Sequence, residues 1–153
     1  MNPKKVAQAI ISSIEQGGRV LICGNGGSLA ESTHFAEELV AKFEKERLSL
    51  PAIALNDAST ITAIANDTHF KYVFSRQIEG LGQKGDVLVT LSTSGTSKNI
   101  LQAQVVARKM GLVVIPFPTN EELNAPTYKT QETHLKWIHK ICREVENHYV
   151  NSN

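Results

Sequence analysis

The sequence predicts a doubly wound α/β domain: a parallel sheet flanked by helices in a three-layer, flavodoxin-like sandwich. Two observations predict it. Short apolar runs alternate with segments of helical period along the whole chain, the pattern of a parallel sheet covered on both faces. The apolar runs also break into turns rich in Gly, Ser, Thr and Asn, and sites in such folds form at the C-terminal ends of strands.

Each element follows in order. Residues 6–16 place Val6, Ile10, Ile11 and Ile14 on one stripe, which Gly17-Gly18 ends. Arg19-Val-Leu-Ile-Cys23 is a buried strand breaking into Gly24-Asn-Gly-Gly-Ser28, with Ser28 placed to cap the next helix. Residues 29–43 carry the helical period. Residues 51–55 form the second strand, a short helix over 59–65 ends near Asn66-Asp67, and 72–81 is helical until Gly82. Residues 86–91 form the third strand, and a helix runs from about Asn99 to Lys109. Residues 112–115 form the fourth strand. Pro116, Pro118 and Pro126 mark a loop, and the last helix covers 130–149. The 153 residues make one domain, with no internal repeat or linker.

Composition narrows the function. A net charge of +1 excludes the broad basic face of a dedicated nucleic-acid binder. No apolar run reaches membrane-span length, and Met1-Asn-Pro-Lys-Lys5 leads into no signal-peptide core. Cys23 and Cys142 lie far apart in apolar patterns, so buried free thiols and a reducing cytoplasm are expected.

Ser92-Thr-Ser-Gly-Thr-Ser97 is the most informative stretch. Five hydroxyls in six residues lie between a buried strand and a helix start, where free N–H groups and the helix dipole suit a phosphate. No Gly-Lys-Ser/Thr follows, which argues against a nucleoside triphosphatase. Gly24-Asn-Gly-Gly-Ser28 lacks the glycine order of a dinucleotide fingerprint, though it allows close backbone approach to a ligand. In the following helix His34 and Glu38 are four apart and face one way; Glu31 and Glu37 are further polar positions. In the last helix Gln131 and His139 are eight apart and share a side, with His134 between them. His139, beside Trp137 and Ile138, reads equally well as a buried structural residue. Spacing alone does not choose between Glu37 and Glu38.

These pieces together resemble the phosphoheptose isomerase branch of the SIS (sugar isomerase) family. The matching stretches are Cys23-Gly-Asn-Gly-Gly-Ser28, His34-Phe-Ala-Glu-Glu-Leu39, Pro51-Ala-Ile-Ala-Leu55, Ala65-Asn-Asp67, Phe74-Ser-Arg-Gln77, Gly85-Asp-Val-Leu88, Ser92-Thr-Ser-Gly95 and Gln131-Glu-Thr-His134 with His139. The resemblance implies a cytoplasmic homotetramer with active sites at subunit boundaries. It implies conversion of sedoheptulose 7-phosphate to D-glycero-D-manno-heptose 7-phosphate, for lipopolysaccharide or other surface glycans. By motif match, the substrate-binding residues are Asn25, Gly26, Gly27, Ser28, Glu38, Asn66, Asp67, Ser92, Thr93, Ser94, Ser97 and Gln131. Glu38 and His139 match the catalytic acid/base pair, which selects Glu38 over Glu37. His34, Glu38, Gln131 and His139 match the ligands of a zinc ion, one per subunit.

Family members usually carry a longer N-terminal helical region and another strand before the last helix. The chain is therefore expected to be shortened in both places, by truncation or by a diverged loop around residues 116–130. Two competing readings belong to the same superfamily. One is a non-catalytic SIS protein binding the bacterial replication initiator, a branch without the carboxylate and histidine matched by Glu38 and His139. The other is a sugar-phosphate-sensing module, which would be accompanied by a DNA-binding segment.

Overall fold

Four parallel strands carry the molecule: β1 (Val20–Gly24), β2 (Ala52–Ala54), β3 (Val87–Leu91) and β4 (Val113–Pro116), in spatial order β2-β1-β3-β4. The computed structural model describes residues 1–151. The helices are α1 (Pro3–Glu15), α2 (Gly27–Val40), α3 (Ala58–Asp67), α4 (Ser75–Leu81), α5 (Lys98–Lys109), α6 (Asn120–Leu123) and α7 (Thr127–Asn151). No helix among the described residues is long and apolar enough to cross a membrane.

Strand alternation sorts the core into two layers. On one face Val20, Ile22, Val87 and Val89 meet Ile10 and Ile11 of α1, Phe35 and Leu39 of α2, and Ile138 and Ile141 of α7. On the other face Leu21, Cys23 and Leu88 meet Val73 and Phe74 just before α4, Ile78 of α4, and Ile100 and Ala103 of α5. Most of these side chains are fully buried, and burying each aliphatic one contributes roughly 1.5–3 kcal/mol. Both cysteines are free and buried, as their apolar settings require.

The strand order places the site. The chain turns from β1 to β2 on one side and then returns to place β3 on the other. The direction of winding therefore reverses between β1 and β3, where a crevice opens at the strands' C-terminal ends. Gly24 pairs with Leu91 there, so the loops after both strands leave the sheet side by side.

Four local readings change. Ser28 lies inside α2, whose N-cap is Gly26 with no side-chain capping bond. Gly26 reaches φ +56°, where only glycine is comfortable, so the glycines make the turn without a serine cap. The 72–81 helix splits into a 3-10 turn at Phe70–Tyr72 and α4, and Ser75 Oγ donates to the Tyr72 carbonyl at 3.3 Å between them. The proline-marked loop contains α6, closed by a Thr119–Glu122 capping box. The last helix starts three residues early, at Thr127.

Candidate active site

The two loops meet as the sequence predicts. Asn25, Ser28, Leu91, Ser92, Thr93, Ser94 and Ser97 line a cleft of about 50 Å³ at the switch point. That is room for a phosphate group, not for a whole sugar. Ser97 is the N-cap of α5, yet its hydroxyl makes no capping bond and faces Ser94 Oγ at 3.5 Å. Ser92 Oγ accepts from Gly95 N at 3.1 Å, which curls the loop around the cleft. These hydroxyls and the start of α5 offer neutral donors to an anion.

A residue that sequence reasoning missed braces the cleft. Asn99, 3% exposed, exchanges two amide hydrogen bonds with Asn25, at 2.9 and 2.8 Å. The Asn25 side chain thus ties the β1 loop to α5, leaving backbone as the loop's main offering to a ligand. An asparagine at a helix start reads as ordinary capping chemistry, so only the fold reveals this pairing.

Farther along α2, His34, Glu38 and His139 converge. Glu38 Oε1 lies 3.0 Å from His34 Nε2 and 3.5 Å from His139 Nε2, and the two imidazole nitrogens are 3.3 Å apart. The Glu38 side chain is 10% exposed, whereas those of His34 and His139 are 42% and 39% exposed. Glu37 points outward, 3.8 Å from His34 Nδ1. The fold therefore places Glu38, not Glu37, in the cluster, and places His139 in the same cluster as a partly exposed residue stacked on Phe43. Glu38 Oε2 is buried with no hydrogen-bond partner.

These residues belong to one seam between α2 and α7. Gly27, Glu31, His34 and Glu38 follow i, i+4, i+7, i+11 and share a face of α2. The Gln131 amide sits so close to Gly27 that a Cβ there would meet its nitrogen at 2.6 Å. Next along, Glu31 Oε2 faces His134 Nδ1 at 3.9 Å, and the trio follows. Cys142 closes this part of the seam; burial and then the Glu38 carboxylate push its thiol far above the usual range.

The end of α2 is anchored by buried charge. Arg47 donates to the carbonyls of Glu38 at 2.6 Å and Leu39 at 2.9 Å. Its side chain and that of Glu146 are each 1% exposed, with Nε and Oε1 3.6 Å apart. Glu146 also accepts from Phe43 N and Glu44 N at 3.0 and 2.9 Å. Burial pushes the Glu146 carboxyl up, but the backbone N–H groups of residues 43–45 and Arg47 outweigh it and hold it below its usual value.

The remaining expected residues lie elsewhere in the protomer. Asn66 and Asp67 are exposed at the C-terminal end of α3, bonded to each other at 2.9 Å, and do not line the cleft. Gln131 lies seven residues up the seam from His34, roughly 10 Å along the helix at 1.5 Å per residue. His134, rather than His139, is the fully buried histidine of α7.

A hydroxyl-lined crevice at the switch point, with the His34–Glu38–His139 cluster below it, defines an α/β domain of the SIS type. The chain belongs to the SIS domain family, whose model matches residues 2–118. It is 47% identical to a phosphoheptose isomerase of Campylobacter concisus, over 91% of this chain and 81% of that protein. Identity to a phosphoheptose isomerase of Helicobacter hepaticus is 45%, over 94% and 80% respectively. Among solved structures, the phosphoheptose isomerase GmhA of Neisseria gonorrhoeae superposes with a TM-score of 0.85 at 34% identity, covering 95% of this chain and 85% of that one. A phosphoheptose isomerase from Francisella tularensis gives 0.86 at 35% identity with the same coverage.

Proposed function

We propose that this chain is an aldose–ketose isomerase converting sedoheptulose 7-phosphate to D-glycero-D-manno-heptose 7-phosphate, for heptose used in lipopolysaccharide or another surface glycan. The observation that carries the reading is the buried Glu38 carboxylate held within 3.5 Å of both His34 and His139, on the helix that begins at the cleft. Its relatives carry the same activity in their names.

The residues divide the work. The hydroxyls of Ser92, Thr93, Ser94 and Ser97, with the backbone of Asn25, Gly26, Gly27 and Ser28, hold the phosphate end. Moving a carbonyl from C2 to C1 takes a proton from one carbon and returns it to its neighbour through an enediol. Glu38, excluded from bulk water, carries that proton between the carbons, and His139 serves the oxygens.

Two imidazole nitrogens and a carboxylate oxygen are suitable zinc ligands. Ligand atoms on a tetrahedral zinc stand about 3.3–3.6 Å apart, and the separations here are 3.0, 3.3 and 3.5 Å. The unpartnered Glu38 Oε2 is a further oxygen in need of a partner. The donor set fits. Zinc bound by His34, Glu38 and His139 would polarise the carbonyl and stabilise the enediolate. Gln131, expected as a fourth ligand, lies beside Gly27 roughly 10 Å up the seam, beyond the reach of its side chain to this cluster. Asn66 and Asp67, exposed and away from the cleft of their own chain, are assigned to substrate in a neighbouring protomer's site of a homotetramer. Two buried free thiols support a cytoplasmic enzyme.

The test is turnover of sedoheptulose 7-phosphate by purified protein, with and without a chelator, alongside Glu38→Gln and His139→Asn. Each variant is expected to melt near the wild type, bind the phosphosugar, and turn over roughly 10²–10⁴-fold more slowly. A stably folded Glu38→Gln protein with wild-type rates refutes the catalytic assignment and restores the binding-only alternative.

A further inference from the structure

Glu31 and His134 occupy the middle of the α2–α7 seam, and neither is used by the mechanism above. They leave two buried atoms without partners, Glu31 Oε2 and His134 Nδ1, and those atoms face each other at 3.9 Å. The His134 side chain is fully buried, while that of Glu31 remains 15% exposed. Glu31 shares its helix face with Gly27 on one side and His34 on the other, one turn from each.

Resting on the isomerase reading, we propose that Glu31 is a further substrate-contacting residue: its outer oxygen, Oε1, accepts a hydrogen bond from a hydroxyl in the middle of the sugar chain, while its inner oxygen faces His134.

The proton inventory follows from the hydrogen bonds. His134 Nε2 lies 2.7 Å from the Pro118 carbonyl, which can only accept, so Nε2 carries a hydrogen. Burial holds the His134 pKa below its usual value against the opposing pull of that bond, so the ring is neutral and Nδ1 presents a lone pair. An ionised Glu31 would set a second lone pair against it in a buried seam. A protonated Oε2 removes that opposition, although at 3.9 Å the two atoms must approach by about 1 Å before they share the proton. Burial pushes the Glu31 carboxyl up to about 7. The groups around it are His134 from α7 and, on its own helix face, His34 and Glu38. Among the described residues no lysine or arginine pairs with it.

A substrate anchored at the 92–97 loop with its carbonyl at Glu38 runs past Glu31. The predicted contact is therefore a binding one, separate from proton transfer at carbon.

The experiment compares wild type, Glu31→Ala and Glu31→Gln by steady-state kinetics and by calorimetric binding of sedoheptulose 7-phosphate from pH 6 to 8.5, with melting curves beside them. Glu31→Ala is expected to raise KM and Kd about 3–10-fold at pH 6.5 with kcat little changed, the loss of one neutral hydrogen bond. Glu31→Gln mimics the protonated acid, its amide N–H toward Nδ1 and its carbonyl oxygen toward the sugar. Its KM should match the wild type at pH 6.5. The second phosphate ionisation, near pH 6, affects both proteins equally. Unchanged affinity in a folded Glu31→Ala protein, or a Glu31→Gln KM as high as that of Glu31→Ala, overturns the proposal. Absence of wild-type turnover would instead strike the isomerase reading, which the binding measurements separate from this one.

Discussion

Replacing Asn99 with alanine should damage the cleft while sparing the His–Glu–His cluster. The substitution removes two amide hydrogen bonds to Asn25, at 2.9 and 2.8 Å, from a site that is 3% exposed. At about 0.5–1.5 kcal/mol net for each bond, the expected cost is about 1–3 kcal/mol. A central value near 2 kcal/mol lowers Tm by roughly 4–8 °C for a domain of this size. Because Asn25 loses its tie to α5, the loop at residues 24–28 loosens and KM for the phosphosugar should rise. Metal content, read by atomic absorption, should match that of the wild type. Thermal melts of Asn99→Ala, Asn25→Ala and the double variant form a cycle. Both single changes break the same pair, so the double variant should lose little more than either one. Additive losses, or an Asn99→Ala melt within a degree of wild type, would refute the brace.

The other predictions concern the anchor and the turn. Glu146→Ala leaves Arg47 buried and unpaired, at an expected cost of about 3–5 kcal/mol in denaturant melts. It should also slow turnover, because Arg47 holds the Glu38 carbonyl. Since the folded-state pKa of Glu146 lies below its unfolded value, its stabilisation is present above the unfolded pKa. It is lost as pH falls through the folded pKa, so the gap in Tm between wild type and Glu146→Gln should narrow on acidification. Gly26→Ala forces a side chain to φ +56° and should cost roughly 1–3 kcal/mol, measured by urea unfolding; a neutral result would mean the turn relaxes.

The sheet was legible because apolar runs bounded by glycine and hydroxyl residues have few alternatives. All four strands begin or end within two residues of their sequence-based limits. Helix α6 was missed because three prolines outweighed a Thr-x-x-Glu box that is itself a start signal. The site divides in the same way. The meeting of the 24–28 and 92–97 loops follows from strand order, whereas the Asn25–Asn99 pair spans 74 residues and has no local signature. Helical spacing put His34 and Glu38 on one side but could not show that His139, 105 residues beyond His34, completes the cluster. The fold excludes Glu37 by turning it outward, a choice that spacing left open.

Helix α2 also serves as a ruler. It begins at the hydroxyl-lined cleft, and Arg47 and Glu146 fix its far end. From Gly27 to His34 and Glu38 it advances seven and eleven residues, roughly 10 and 16 Å at 1.5 Å per residue. On the proposed assignment of the site, a rigid rod of that pitch sets the gap between the cleft that would grip the phosphate and the carboxylate that would move protons. A sugar phosphate with too few carbons would leave its carbonyl short of Glu38 while its phosphate stayed home, so selection by chain length is built into the helix without any wall to reject the shorter molecule.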